Sequence, residues 1–487
     1  MTDFQTIDLL AILPEIALTA LGVLVLVLDV TWRGKIRQQL GVVTAVGLFA
    51  IAALTAVFTY PAESQLLYGG MMRHDLLAFV MRLIFLVAAG FTALLSVDVD
   101  NLGRRGEYYA VLIAAVIGMN LMAASADLIM LYLALETTSI SAYILAGFLF
   151  NEERSAEAGM KYFLFGAVTS TVMLFGFSLL FGFAGTTNLY QIGTTIQANS
   201  LAITVIAVLV LVGVGFKLAV FPFHFWSPDV YEGAPTPVTA FISTASKAAG
   251  FAVLLRVFLI AFDGTNLQSA SNWLPLLTSI AVVTTSLGNL VALTQKNIKR
   301  LLAYSSIAHA GYALMAFTAI QSAPVQAEAV AAVVYYLVTY VLTNLTAFGV
   351  IILVAKNVGS DDVAAFAGLN KRSAGLSLAM LVAFLSLGGI PPLAGFVGKF
   401  FIFMALVKAN LLWLAIVLAV NSLIALYYYL LVLNVVYNRP VAEGATEIQV
   451  SAPYRVALTA LCVGVVVFGV IIAPFYDPIT RIFDLVK

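Results

Sequence analysis

The feature that constrains this chain most is an apolar run of about twenty residues that recurs from one end to the other. A helix needs ~20 such residues to cross the ~30 Å hydrocarbon core of a bilayer. Runs of that length lie near 9–30, 39–60, 75–97, 107–125, 127–149, 157–183, 200–222, 236–262, 272–293, 297–319, 327–355, 374–409, 411–437 and 454–474. Alternating ten-residue segments are absent, which rejects a transmembrane barrel. The links between runs are short and leave nothing to build a separate soluble domain. The fold class is therefore an all-α polytopic membrane protein with about fourteen transmembrane helices.

Composition agrees where the argument needs it. Of 487 residues, 62% are hydrophobic and only 10% charged, against about a quarter charged in a soluble domain. Lys+Arg and Asp+Glu both number 24, so no nucleic-acid partner is expected. The one cysteine, Cys462, lies in an apolar run, which excludes an internal disulfide or a cysteine-ligated cluster. Asp3, Asp8 and Glu15 stand where a removable signal would need basic residues, so the first run reads as a retained span.

Orientation follows from the basic residues in alternate loops. One set holds Arg33, Lys35, Arg37, Arg104, Arg105, Arg154, Lys296, Lys299, Arg300, Lys356, Lys371, Arg372, Arg439 and Arg455; the other holds Arg73, Lys408, Arg481 and Lys487. Fourteen against four places both termini on the non-cytoplasmic side. Six cations remain inside spans: Arg82, Lys161, Lys217, Lys247, Arg256 and Lys399. Glu136 joins them in the fifth span. A charge at the bilayer centre costs at least ~3 kcal/mol on insertion scales, so such residues face a protein interior or a wet cavity.

Two spans carry internal breaks. The seventh reads Gly215-Phe-Lys217-Leu-Ala-Val-Phe-Pro222-Phe-His224-Phe-Trp226-Ser-Pro228. The twelfth reads Ser386-Leu-Gly388-Gly389-Ile-Pro391-Pro392-Leu-Ala-Gly395-Phe-Val-Gly398-Lys399. Proline removes a backbone donor and leaves carbonyls without helical partners. Irregular backbone at membrane depth survives only against protein or a water-filled cavity. Breaks at corresponding places in two halves point to inverted repeats with ion sites at the interrupted helices. Spans 4–8 and 9–13 are five each, so the second copy sits upside down, and the discontinuous helices 7 and 12 are the fourth of each copy. Lys217 precedes its proline whereas Lys399 follows its pair, so the lysines are not strict symmetry mates.

Chemistry narrows the candidates. Burial weakens a lysine's hold on its proton and a nearby carboxylate strengthens it, so a movable contact between Glu136 and Lys217 would tune proton affinity. The bland alternative is a static buried ion pair. Lys247 lies mid-span, too deep to snorkel, while Lys161 is near its helix start and could reach the surface. Arg82 and Arg256 do not release protons and read as structural. His224, at the first break, and His309, in the tenth span, could relay a proton or simply be hydrogen-bonded. No metal-ligand spacing is present. Gly395-Phe-Val-Gly398-Lys399-Phe400 is too short for a phosphate loop and lacks the following Ser/Thr.

Three strings carry a family resemblance: Gly215-Phe-Lys217 through Pro222-Phe-His224-Phe-Trp226-Ser-Pro228-Asp-Val-Tyr-Glu232-Gly-Ala-Pro235-Thr-Pro237, Lys299-Arg300-Leu-Leu-Ala-Tyr304-Ser-Ser-Ile-Ala-His309, and Gly388-Gly-Ile-Pro391-Pro-Leu-Ala-Gly395-Phe-Val-Gly398-Lys399-Phe400. The chain resembles, over nearly its whole length, the antiporter-like membrane subunits of respiratory complex I, NADH:quinone oxidoreductase. It is most similar to the N-type branch (subunit 2 in mitochondrial naming). The M-type paralogue typically has glutamate at the place of Lys399, and the L-type adds a lateral helix for which a chain ending at Lys487 has no room. The resemblance implies Glu136 paired with Lys217, then Lys247 and Lys399 along a central polar axis, with Lys161 and His224 as accessory members. It implies no cofactor in this chain, with FMN, iron–sulfur clusters and quinone serving in other subunits. The implied partners are other complex I membrane subunits, including M-type and L-type paralogues and small spans, and membrane lipid. The expected location is the bacterial plasma (inner) membrane. The expected organisation is 1–103 for spans 1–3, 104–265 and 266–440 for the two repeats, and 441–487 for span 14. A stand-alone cation/proton antiporter and a purely structural bundle remain open at this point.

The loop bias makes a topological prediction. Cysteines at Gln38 and Gln295 should react with an impermeant maleimide only from the cytoplasmic side, and one at Ala198 only from outside. Labelling of all three from one side would reject the arrangement.

Overall fold

The computed structural model describes residues 6–99, 101–196, 200–262, 267–320, 322–441 and 446–483. Ala198 and Lys487 lie outside the described residues. Among the described residues, twelve helices are long and apolar enough to cross a membrane. They correspond to spans 1–9, 11, 13 and 14. Span 10, Ile298–Ala319, has the length, but Lys299, Arg300, Ser305, Ser306 and His309 dilute its apolar character. Span 12 is split into Ala374–Gly388 and Ala394–Lys408. A hairpin of two three-residue strands, Gln65–Leu67 and Met72–His74, joins spans 2 and 3.

The halves of the chain repeat with an offset of 170 residues, and the repeat is visible bond by bond. Span 5 (Leu128–Ala146) starts on Asp127, whose side chain accepts from Ile129 N and Met130 N. Span 10 starts on Asn297, which accepts from Lys299 N and Arg300 N. Side-chain oxygens at this position satisfy the free donors of a first helical turn. Leu128 N donates to Thr187 O and Leu189 N to Ala126 O; in the second copy Ile298 N donates to Asp361 O and Val363 N to Lys296 O. Gly118 lies against Ala134 and Thr138, and Gly288 against Tyr304 and Ala308.

The breaks match in the same register. Span 7 (Ser200–Leu218) ends where Ala219 turns left-handed at φ 56°, and the first half of span 12 ends where Gly389 does so at φ 84°. Val220 N donates to Gly215 O and Ile390 N to Leu385 O; Ala219 N donates to Phe216 O and Gly389 N to Ser386 O. Both turns contain a cis X-Pro bond, before Pro222 and before Pro392. After the first turn the chain forms a short helix, Trp226–Gly233. Helix direction alternates between successive spans, so copies of five spans run in opposite senses.

Span 8 adds an irregularity that no proline or glycine announces. Wide, π-type turns occupy Ile242–Ser246, just before Lys247, and Val257–Ala261, just after Arg256. Such turns are frequent at functional sites.

The close helix approach at position 118 and its mate gives a stability test. A Cβ on Gly118 would lie 2.8 Å from Thr138 N, and one on Gly288 2.7 Å from Ala308 N and Tyr304 O. Gly118→Ala and Gly288→Ala should each destabilise the protein by about 1–3 kcal/mol through overpacking. Gly182→Ala, with nothing within 4 Å, should leave the thermal midpoint unchanged. Equal midpoints for all three variants would refute the packing.

Candidate functional site

Of the buried cations, Lys299 and Arg372 lie at the loop ends, bonded to Asp361 and to Thr446 O, and those deep in the spans divide into two kinds according to what holds them. Arg82 in span 3 (Leu76–Ser96) pairs with Glu15 in span 1 (Thr6–Thr31) at 2.9 Å. Arg256 in span 8 faces Asp75 with both Nη atoms, one at 2.6 Å, and its Nε donates to Ala123 O. These guanidinium groups have acidic partners, consistent with the structural role read from the sequence. Asp75, the cap of span 3, was not singled out there, and Glu15 was read only as an acid that argues against a removable signal.

Three lysines are held otherwise. Lys217 donates to Ser139 Oγ at 3.0 Å. Lys247 donates to Ser306 O at 2.7 Å and Ser306 Oγ at 2.5 Å. Lys399 donates to Leu387 O at 2.8 Å and lies 5.0 Å from the centre of the Tyr312 ring. All three are buried, with 3–5% of their surface exposed. Their hydrogen-bond acceptors are neutral oxygens.

The pairing of Glu136 with Lys217 implied by the resemblance is corrected in detail. Ser139, almost one helical turn beyond Glu136 on span 5, receives the Lys217 ammonium, while Glu136 Oε1 is buried without a hydrogen-bond partner. Glu136 and Ser139 share a face of span 5, and Glu136 is not in ion-pair contact with Lys217. Near Lys217, Phe216 O accepts from Trp226 Nε1 at 3.1 Å in addition to Ala219 N.

The 170-residue register explains why the lysines mismatch in sequence. The mate of Lys217 is Leu387, whose carbonyl accepts the Lys399 ammonium. Lys399 thus reaches back across the break to the level of Lys217 in the other copy. The mates of Glu136 and Ser139 are Ser306 and His309, both on the polar axis.

His309 sits at the centre of a hydroxyl cluster. Its Nδ1 lies 2.6 Å from Tyr336 Oη and its Nε2 3.3 Å from Tyr429 Oη. Its ring packs edge-on against Tyr312, at 5.5 Å, and tilted against Tyr340, at 5.2 Å. Tyr340 donates to Ser306 Oγ at 2.7 Å, and Tyr231 Oη lies 3.3 Å from the same atom. A line of polar groups therefore runs from Lys247 through Ser306, Tyr340 and His309 to Tyr312 and Lys399. Lys217 packs beside the helix of Lys247, where a Cβ on Gly250 would touch Lys217 Cγ at 3.3 Å, and its ammonium bonds Ser139 rather than a member of this line. Sequence reasoning missed the tyrosines. The available signal was Tyr336, Tyr340 and Asn344 at four-residue spacing, a polar stripe on the otherwise apolar span 11 (Gln326–Val358).

Two expected members are not brought to this line. Lys161 is 37% exposed and bonds Asp229 and Glu157, each at 2.7 Å; Arg300 completes that cluster with Asp229 at 2.7 Å and Glu232 at 2.9 Å. His224 is buried between Phe221 and Phe225, and its Nδ1 has no hydrogen-bond partner.

With this geometry in hand, the comparisons with known proteins are decisive. The family described as NADH:quinone oxidoreductase/Mrp antiporter, TM, matches residues 125–425. NADH-quinone oxidoreductase subunit N of Dehalococcoides mccartyi is 39% identical over 484 residues, covering 97% of this chain and 99% of its own. The chain belongs to the subunit N family. Subunit N of Moorella thermoacetica is 42% identical over 464 residues, covering 94% of this chain and 95% of its own. Among solved structures, a chain of respiratory complex I from Thermus thermophilus is 33% identical with a TM-score of 0.77, covering 95% of this chain and 97% of that one. A chain of the Mrp complex from Dietzia shares the fold at TM-score 0.84 and 20% identity, covering 99% and 98%.

Lys161 lies in a surface ion cluster and Lys247 in the buried polar line, and the difference makes a prediction. Lys161→Gln should keep most of the donor-driven proton pumping in membrane vesicles, normalised to assembled complex, whereas Lys247→Gln should lose most of it. Equal losses would return Lys161 to the pathway.

Proposed function

We propose that this chain is a proton-translocating membrane-arm subunit of NADH-quinone oxidoreductase, moving protons along Glu136, Lys217, Lys247, His309 and Lys399 in response to quinone reduction elsewhere in the complex. The observation that carries this reading is the contrast between arginines and lysines. A scaffold built from charges neutralises each cation with an acid, because an unpaired buried charge costs several kcal/mol. Arg82 and Arg256 follow that rule. Lys217, Lys247 and Lys399 are held by hydroxyls and carbonyls instead. Those oxygens accept from an ammonium, and the hydroxyls can also donate to a neutral amine. Lys217 and Lys247, on serine hydroxyls, are thereby housed in either protonation state, and Leu387 O accepts an N–H from Lys399 as ammonium or as amine, which a proton carrier requires. His309, between two tyrosine hydroxyls, is placed to pass a proton between the Lys247 and Lys399 ends of the line.

In this reading the redox chemistry belongs to other subunits, which hold the FMN, iron–sulfur clusters and quinone. The M-type and L-type paralogues and small spans are neighbours in the membrane arm. The membrane is the bacterial plasma membrane, with both termini on its non-cytoplasmic side. A stand-alone antiporter is disfavoured by the level of identity, which is about 40% to subunits N and 20% to the Mrp chain.

The reading is tested at positions 399 and 136. Lys399→Ala, which also frees Leu387 O and is therefore compared per assembled complex, should pump and transfer electrons several-fold more slowly, because a blocked proton step holds back the redox steps coupled to it. Lys399→Arg should be impaired as well, since guanidinium keeps the charge but cannot cycle its proton. An arginine variant that pumps at the normal rate would show that only a fixed charge is needed there. At position 136, aspartate should retain much of the activity and glutamine should lose most of it; equal rates for the two would indicate a packing role.

A further inference from the structure

A groove on the membrane-facing side of the second repeat has no role in the proton line. It lies between the first half of span 12 (Ala374–Gly388) and span 14 (Ala452–Val470) and encloses a cavity of about 810 Å³. Both spans start on the same side of the membrane and run in parallel. Gly375, Leu378 and Val382 form one wall at helical spacing, and Thr459, Cys462 and Val466 form the other. From Arg455 to Val467 the groove descends about 18 Å at 1.5 Å per residue. That matches the ~15 Å depth of one leaflet, half of the ~30 Å hydrocarbon core.

The mouth is polar and carries charges of both signs. Arg455 and Glu447 line it, and both are exposed. Among the described residues they make no ion pair with each other; Arg455 Nη2 donates only weakly, to Val450 O at 3.3 Å. A cation and an anion at the headgroup level, above an apolar slot one leaflet deep, complement a zwitterionic headgroup. We infer that this groove binds one phospholipid of the phosphatidylethanolamine type, with its phosphate on Arg455, its ammonium toward Glu447 and one acyl chain between spans 12 and 14. By the loop-charge orientation this lipid belongs to the cytoplasmic leaflet.

The site also touches the machinery. Gly469 of span 14 packs directly on the backbone of Pro392, Leu393 and Ala394, the second break. A chain wedged between the two helices therefore sets how span 14 supports the turn that holds Leu387 O for Lys399. The lipid site itself does not depend on the proton reading, and its test measures binding alone.

The assembled complex, purified in detergent, is incubated with a phosphatidylethanolamine bearing a diazirine on its acyl chain, irradiated, and digested to map the labelled residues. Label should concentrate on residues 374–388 and 452–470, and unlabelled phosphatidylethanolamine should compete it away. Diacylglycerol, which lacks the headgroup, should compete about fivefold less well, the factor that one basic residue contributes at a lipid surface. Arg455→Gln should lower labelling by about the same factor. Gly375→Leu fills open space, since nothing lies within 4 Å of an added Cβ, and should reduce groove labelling in a complex that still assembles. Label spread evenly over the other lipid-facing spans would overturn the site as bulk lipid. An unlabelled groove that cross-links instead to a neighbouring subunit would overturn it as a protein interface. Equal competition by diacylglycerol, or by phosphatidylglycerol as well as by phosphatidylethanolamine, would overturn the zwitterionic headgroup assignment.

Discussion

Two carbonyl groups, Phe216 O and Leu387 O, govern much of this structure. Each belongs to a helix that stops inside an apolar medium, where an unbonded carbonyl costs several kcal/mol. The two carbonyls are one position apart in the 170-residue register, and their donors differ: Phe216 O already accepts from Ala219 N and takes a second bond from a side chain. Trp226 supplies its indole N–H to Phe216 O, which requires the chain to fold back after Pro222. The short helix that results, Trp226–Gly233, carries Tyr231 to Ser306 and so to Lys247. In the second copy the donor is the Lys399 ammonium itself. The backbone's need for a partner thus places one of the titratable groups.

The arginines and lysines show how charge is sorted in a low-dielectric interior. A guanidinium cannot release its proton, so a buried one needs a permanent counter-charge. Glu15 and Asp75 provide it and tie the first three spans to the rest: Arg82 holds span 3 to span 1, and Arg256 holds span 8 to the start of span 3. An ammonium has the option of losing its proton. Surrounding it with Ser139, Ser306 and a cluster of tyrosines keeps that option open, because hydroxyls donate and accept with equal facility. Such networks hold together only when fully bonded. The Tyr340–Ser306 and Asn344–Tyr340 bonds, at 2.7 and 3.1 Å, continue the network onto span 11.

The spans and the two breaks were legible in the sequence. Bilayer insertion acts on local composition, so twenty apolar residues mean the same thing wherever they fall, and prolines at 222, 391 and 392 interrupt a helix regardless of its neighbours. Lys217, Lys247, Lys399 and Glu136 were visible for the same reason: a charge within an apolar run stands out without any knowledge of contacts. The wide turn before Lys247 was not visible, since Ile242–Ser246 contains neither proline nor glycine and π-type winding is set by packing. Nor was the separation of Lys161 from the line, which rests on Asp229 and Arg300 arriving from distant segments.

What the sequence determined by itself is thus the one-dimensional content: which segments lie in the membrane, where they break, and which of them carry charge. Partnership was decided only by the tertiary structure. The internal repeat superposes positions 170 apart, and no local pattern reveals that Leu387 answers to Lys217 or His309 to Ser139. Within its own copy Lys399 finds Leu387 O, Lys217 finds Ser139 rather than Glu136, and His309 finds two tyrosines from spans 11 and 13, while Lys247 of the first copy finds Ser306 of the second. Hydrogen bonds act over about 3 Å, and only the folded chain brings groups that far apart in sequence within that distance.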